Sequence, residues 1–219
     1  MNLFKYFAMT MACIGFTSHA AVAQQTPIAG YTYGDSQLPK SPISLEQLAE
    51  IQKSLLFTAD DEKYLRMSHD VLSSQVEEVL DVWYGFVAST PHLVHYFTDS
   101  TTNKPNPEYL GRVRKRFGQW ILDTAKANYG QDWLNYQHQI ALRHHRSGKN
   151  KTDNVSSVPH IHFRHLVALH YPITATLKPF LAKGGHSADE VDKMHQAWIK
   201  SVQLQVILWS YPYVTPGDF

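Results

Sequence analysis

Histidine is the residue type with the most chemical potential in this chain. There are thirteen, against a single cysteine, Cys13. Two groups of imidazoles stand out: Arg143-His144-His145, and His160, His162 and His165. On a helix, Trp133, Gln137, Ile140 and His144 share one face, while Leu134, His138, Ala141 and His145 share the next. Either His144 or His145 could therefore turn into an apolar interior. A neutral imidazole held there is what an iron porphyrin needs as an axial ligand. Spacing alone fits a satisfied core or surface histidine better, and it does not choose between the two. The second group places His162 and His165 on one helical face. It lacks the neighbouring glutamate of a His-Glu-x-x-His zinc helix, so solvated histidines fit it better than zinc.

Aromatic residues offer the other half of a pocket. Trp83-Tyr84-Gly85-Phe86 is one cluster, and Val113, Phe117, Trp120 and Ile121 form a stripe at helical spacing. Either can be plain core. No glycine-rich phosphate loop and no Gly-x-Ser-x-Gly elbow occurs. The net charge of +1 gives no basic field for nucleic acid.

The elements that must position these residues are helical nearly throughout. Ser44 and Gln47 fit a capping box ahead of Leu45, Leu48, Ile51 and Leu55. Thr58 caps a second helix whose first turn is acidic. The apolar period from Tyr64 to Val87 predicts two helices or one bent one, broken at Pro91. Pro107 opens a helix to about Ala127. Another runs from Gln131 to near His145, a polar loop covers 147–158, and a helix with Pro172 inside spans about 160–180. Ser187 and Glu190 cap the last helix, which runs to about Ser210. Asn150 and Asn154 lie in Asn-x-Ser/Thr sequons within the polar loop. No strand alternation or repeat is visible, so the expected fold class is all-α and of the non-bundle kind.

Residues 1–23 read as a secretory signal peptide. Lys5 lies in a short basic start, an apolar run follows to Phe16, and Ala21-Val22-Ala23 offers a cleavage site. That run is too short for a membrane span. Cleavage near Ala23 removes Cys13, which excludes disulfides and thiolate sites from the mature chain. The expected location is periplasmic or secreted. Residues 24–43 read as a loop extension packing through Tyr31 and Tyr33, and 44–219 as one domain.

Five blocks in order then become recognisable: Trp83 to Val87, Arg116 to Thr124, Leu142 to His145, Tyr171 to Thr176, and Gln205 to Tyr213. From about Gly30 onward the sequence resembles the protoglobins, single-domain haem globins related to the sensor domains of globin-coupled sensors. The resemblance implies a globin-like fold with an extra N-terminal helix around a deeply buried haem b. It implies that His144 is the iron ligand, that Trp83 and Tyr84 lie on the ligand side, and that Tyr84 donates a hydrogen bond to a diatomic gas. Phe117 matches an aromatic that crowds that ligand, and Ile173 an apolar pocket residue. Leu169 stands where a Phe is expected, which should open the pocket. The implied activity is reversible binding of O2, CO or NO rather than enzymatic turnover. The alternatives are a haem redox enzyme (NO dioxygenase, nitrite reductase or peroxidase-like) and a gas sensor acting through a partner. A homodimer through the last two helices is likewise implied.

Overall fold

The computed structural model describes residues 27–219, whose regular structure is helical, so the signal-peptide reading lies outside the described residues. Among them are eight α-helices: α1 (Leu45–Ser54), α2 (Ala59–Ser73), α3 (Val76–Ala88), α4 (Pro91–Val94), α5 (Pro107–Ala125), α6 (Gln131–His144), α7 (Phe163–Leu181) and α8 (Ala188–Ser210). Among the described residues no helix is long and apolar enough to cross a membrane.

The helix starts follow from local chemistry. Gln47 N–H donates to Ser44 Oγ at 3.1 Å, and Ser44 N–H donates back to Gln47 Oε1 at 2.9 Å. Ser187 and Glu190 repeat the arrangement at α8. These reciprocal bonds satisfy amides that the first helical turn leaves without partners. Asn106 Oδ1 accepts from Tyr109 N–H just ahead of Pro107. The pattern breaks ahead of Pro91 as expected, α3 ending at Ala88, and Pro91 also opens the short α4, because the first helical position has no use for an N–H. The long apolar stretch resolves into α2 and α3, separated at Ser74 and Gln75.

α8 is the central element and packs against α2, α6 and α7. Its Trp198 is fully buried and donates its indole N–H to Ser68 Oγ on α2 at 2.8 Å. Trp120 on α5 donates likewise to Gln205 Oε1 of α8 at 2.6 Å. Each bond offsets the cost of enclosing a polar group among the apolar side chains that dominate the core. α3 and α5 approach closely at Gly118, where an added Cβ would stand 3.0 Å from Val76 and 3.2 Å from Leu80. That approach sets Phe117 beside Trp83 and Tyr84, with ring centroids 5.7 Å and 6.5 Å apart. The 27–43 segment packs through Tyr31 and Tyr33, as expected, and the structure puts both rings against the edge of Tyr136 on α6.

Candidate functional site

A cavity of about 250 Å³ opens between α3, α5, α6, α7 and α8. Close-packed interiors hold few voids larger than a water molecule, which makes this one the candidate binding site. Trp83, Tyr84, Phe117, His144, Leu169 and Ile173, residues from four helices, all line it. Leu169 and Ile173 pack against Trp83, Val87 and Leu93, a mixed aromatic and aliphatic wall. Phe86, from the same sequence cluster as Trp83, turns the other way and is 40% exposed.

His144 occupies the last turn of α6. Its Nδ1 lies 2.8 Å from Ile140 O, a contact that requires Nδ1–H to donate. The tautomer is thereby set, and Nε2 keeps its lone pair. Burial pushes the imidazole pKa down to about 4, with Lys149 and Arg143 adding to the depression, so the ring is neutral at ordinary pH. The ring stacks on Trp209 of α8 at 5.5 Å and 20°. Trp209 is itself held, donating its indole N–H to Gln137 Oε1 at 2.9 Å. The chain after α6 returns so that Ile161 N–H donates to His144 O at 3.0 Å. His145 is not at the cavity; it meets Ser147, His160 and Tyr213 instead. Periodicity could not separate these two histidines. The direction in which α6 docks does.

Tyr84 is largely enclosed, and burial pushes its phenol well above the ordinary range, so the hydroxyl stays protonated. That hydroxyl makes no hydrogen bond to any described residue and is free to donate. The second histidine group divides. His165 lines the cavity and contacts His92 and Tyr96, while His160 and His162 sit with His145 outside it. Among the described residues, no three His, Cys, Asp or Glu side chains gather in a metal-ligating cluster.

The 147–158 loop departs most from expectation. Read only as polar, it buries Lys149, Asp153 and Ser157. Asp153 forms a bidentate pair with Arg116 of α5, with side chains only 5% and 10% exposed. Lys149 Nζ donates to Tyr96 O, Tyr109 Oη and Asn150 Oδ1. The Asn150 sequon amide is engaged too, donating to Ser157 O at 2.7 Å. No periodic signal marks these residues, because their burial comes from distant partners. The basic character of the loop was the only trace in the sequence.

The Protoglobin family model matches residues 44–218. The chain belongs to the Protoglobin family. Its fold is also that of a solved structure, the globin domain of the Geobacter sulfurreducens globin-coupled sensor. The two share 13% identity and a TM-score of 0.59, over 76% of this chain and 97% of that one. Comparison with curated protein sequences finds no match. The family makes this protoglobin a haem globin, and the cavity fits such a group. It offers an unprotonated nitrogen donor, aromatic and aliphatic walls for a flat apolar ring, and a polar end formed by Arg116, Arg143, Lys149 and Asp153.

Proposed function

We propose that this protoglobin holds haem b through His144 Nε2 and binds a diatomic gas (O2, CO or NO) reversibly in the pocket lined by Tyr84, Trp83, Phe117, Leu169 and Ile173. The observation that carries this is the state of His144: neutral, with its tautomer set by Ile140 O, and facing an apolar cavity. When bound, the group supplies an iron with one coordination position left for the gas. The chain supplies the rest. Trp209 and Ile140 orient the imidazole, the aromatic walls exclude water, and Tyr84 donates to a ligand that gains partial negative charge.

Absorption spectra of the purified protein in the ferric, ferrous and ferrous-CO forms test the reading. A Soret band that shifts with CO is expected, and a protein that stays colourless with haemin rules it out. His144→Ala should lose tight haem binding, and an unchanged five-coordinate ferrous spectrum would remove its role. Export after cleavage near Ala23 remains part of the proposal. So does a homodimer through α7 and α8, supported by Val167 and Tyr171, which α7 leaves 50% and 77% exposed. A single-chain mass in sedimentation at micromolar concentration would end the dimer reading.

A further inference from the structure

The free hydroxyl of Tyr84 can serve a ligand only if the ring behind it is held in place. Phe117 meets that ring edge-on from α5. Arg114, one turn earlier on the same helix, also lies over it, with the guanidinium carbon 5.6 Å from the ring centroid. Val113, Arg116 and Phe117 all line the cavity, whereas Arg114 stands outside its lining. Arg114 is in turn held by α3. Its Nη2 donates to Glu77 Oε2 and Asp81 Oδ1, both at 2.8 Å, and lies 3.1 Å from Glu77 O. Glu77, Asp81 and Tyr84 follow one another by four and three residues, so successive turns of one α3 face grip a single side chain of α5. The grip lies next to the close approach at Gly118, where Val76 and Leu80 abut α5.

The contact acts on the phenol in two ways. A fixed cation beside the ring restricts the ring's movement, which leaves the hydroxyl one direction in which to point. Its charge also works on the hydroxyl itself. Burial raises the phenol pKa, and Arg114, then Arg116, pull it back. A phenol drawn toward acidity is the stronger donor. As a plain tie between helices the same ion pairs would achieve little. Glu77 and Asp81 are 78% and 75% exposed, and exposed pairs contribute little stability. Their effect is to aim the guanidinium, which is only 25% exposed, at Tyr84.

We propose that Arg114 is a positioning residue for Tyr84: from outside the cavity it holds the ring so that the hydroxyl meets the bound gas, and it thereby sets how strongly the pocket prefers O2 to CO. This rests on the reading of Tyr84 as the donor in a haem pocket. O2 gains partial negative charge when bound and CO gains far less, so a better donor retains the first selectively. Because Arg114 lies outside the cavity lining, its influence has to pass through Tyr84. A double substitution can therefore separate positioning from simple stabilisation.

The test measures O2 and CO release by stopped flow from haem-loaded wild type, Arg114→Met, Tyr84→Phe and the double variant. Arg114→Met should speed O2 release about three- to tenfold, the scale of weakening one hydrogen bond, and change CO release by less than about twofold. Arg114→Lys keeps the cation but not the fork and should recover part of the loss. With Tyr84→Phe already in place, Arg114→Met should add nothing. A second readout needs no haem. In haem-free protein labelled with fluorotyrosine, the fluorine resonance of Tyr84, assigned by its loss in Tyr84→Phe, should shift in Arg114→Met. If O2 and CO release rise together, or if Arg114→Met acts equally with and without the Tyr84 hydroxyl, Arg114 is only a tie between helices and the proposal is overturned. An unmoved Tyr84 resonance overturns it too. If Arg114→Met changes neither rate while Tyr84→Phe speeds O2 release, the positioning role falls and the Tyr84 reading stands. If Tyr84→Phe also changes nothing, both fall. Should Arg114→Met fail to fold by circular dichroism, Arg114→Lys and the Glu77→Gln/Asp81→Asn pair carry the same prediction at smaller size, and O2 release unchanged in both overturns it.

Discussion

Lys149→Met should stabilise the haem-free protein at neutral pH, against the usual result of changing a buried, fully hydrogen-bonded residue. Burial lowers the ammonium pKa from 10.5 to about 8, with Asp153 opposing the shift. A drop of that size corresponds to about 3 kcal/mol of destabilisation while the folded state must carry the charge. The unfolded chain holds its proton up to pH 10.5, whereas the folded chain releases it near 8. Between these values the unfolded state binds more protons, and stability rises with pH. From about pH 7 to about pH 9.5 the wild-type protein should gain about 2 kcal/mol from this group. Above about pH 10 the trend reverses, because buried tyrosines such as Tyr109, raised to about 12, keep protons that the unfolded chain loses. Methionine removes the charge and forfeits three hydrogen bonds. Tyr96 O keeps a second donor in Ser157 Oγ, so not every acceptor is orphaned. The net expectation at pH 7 is a gain of about 1–2 kcal/mol, shrinking to nothing or reversing by pH 9.5. Urea denaturation of haem-free protein at both pH values reads this directly. A variant less stable than wild type at pH 7, or a difference that does not change with pH, would refute the argument that this cation is held uncompensated.

Other expectations follow from single contacts. Tyr84→Phe removes the free donor at the cavity and should speed O2 release; stopped-flow rates identical to wild type would show that its hydroxyl has no part. Gln137→Leu strips the acceptor from the Trp209 indole and should cost about 1–3 kcal/mol in thermal or urea unfolding, together with a shift in the ferrous Soret band as the stacked imidazole loosens. Gly118→Val would force side-chain branches into Val76 and Leu80 and should destabilise by about 1–3 kcal/mol, measured by urea midpoint. Cleavage after Ala23 should yield a chain whose mass begins at Gln24. All the described anchors of the N-terminal segment, from Ala29 onward, lie downstream of that cut, and an intact N-terminus in the exported or periplasmic fraction would contradict it.

Much of the architecture was legible because helix formation is a local matter. The capping boxes at Ser44 and Ser187, Pro107 at a helix start and the apolar periods of α5, α6 and α8 are set by residues within a turn or two of one another. Pro91 carries both of its meanings at once: α3 stops just before it, as its sequence position suggests, and the short α4 starts on it, which the sequence did not show. The site was half legible. The aromatic stripes and the two adjacent histidines are written in order along the chain, but composition also describes an ordinary core in those terms.

By itself, then, the amino-acid order determined which segments coil, which faces are apolar, and that imidazole is the principal donor. Only the tertiary structure decided that α6 turns His144 to the cavity and His145 away, that Trp209 and Gln137 brace it, and that the polar loop buries Lys149 and Asp153. The physical reason is one of range. Dihedral preferences and helix caps act over a few residues, whereas desolvation and charge balance depend on whatever the fold brings alongside, here from segments as far apart as Thr32 and Arg143.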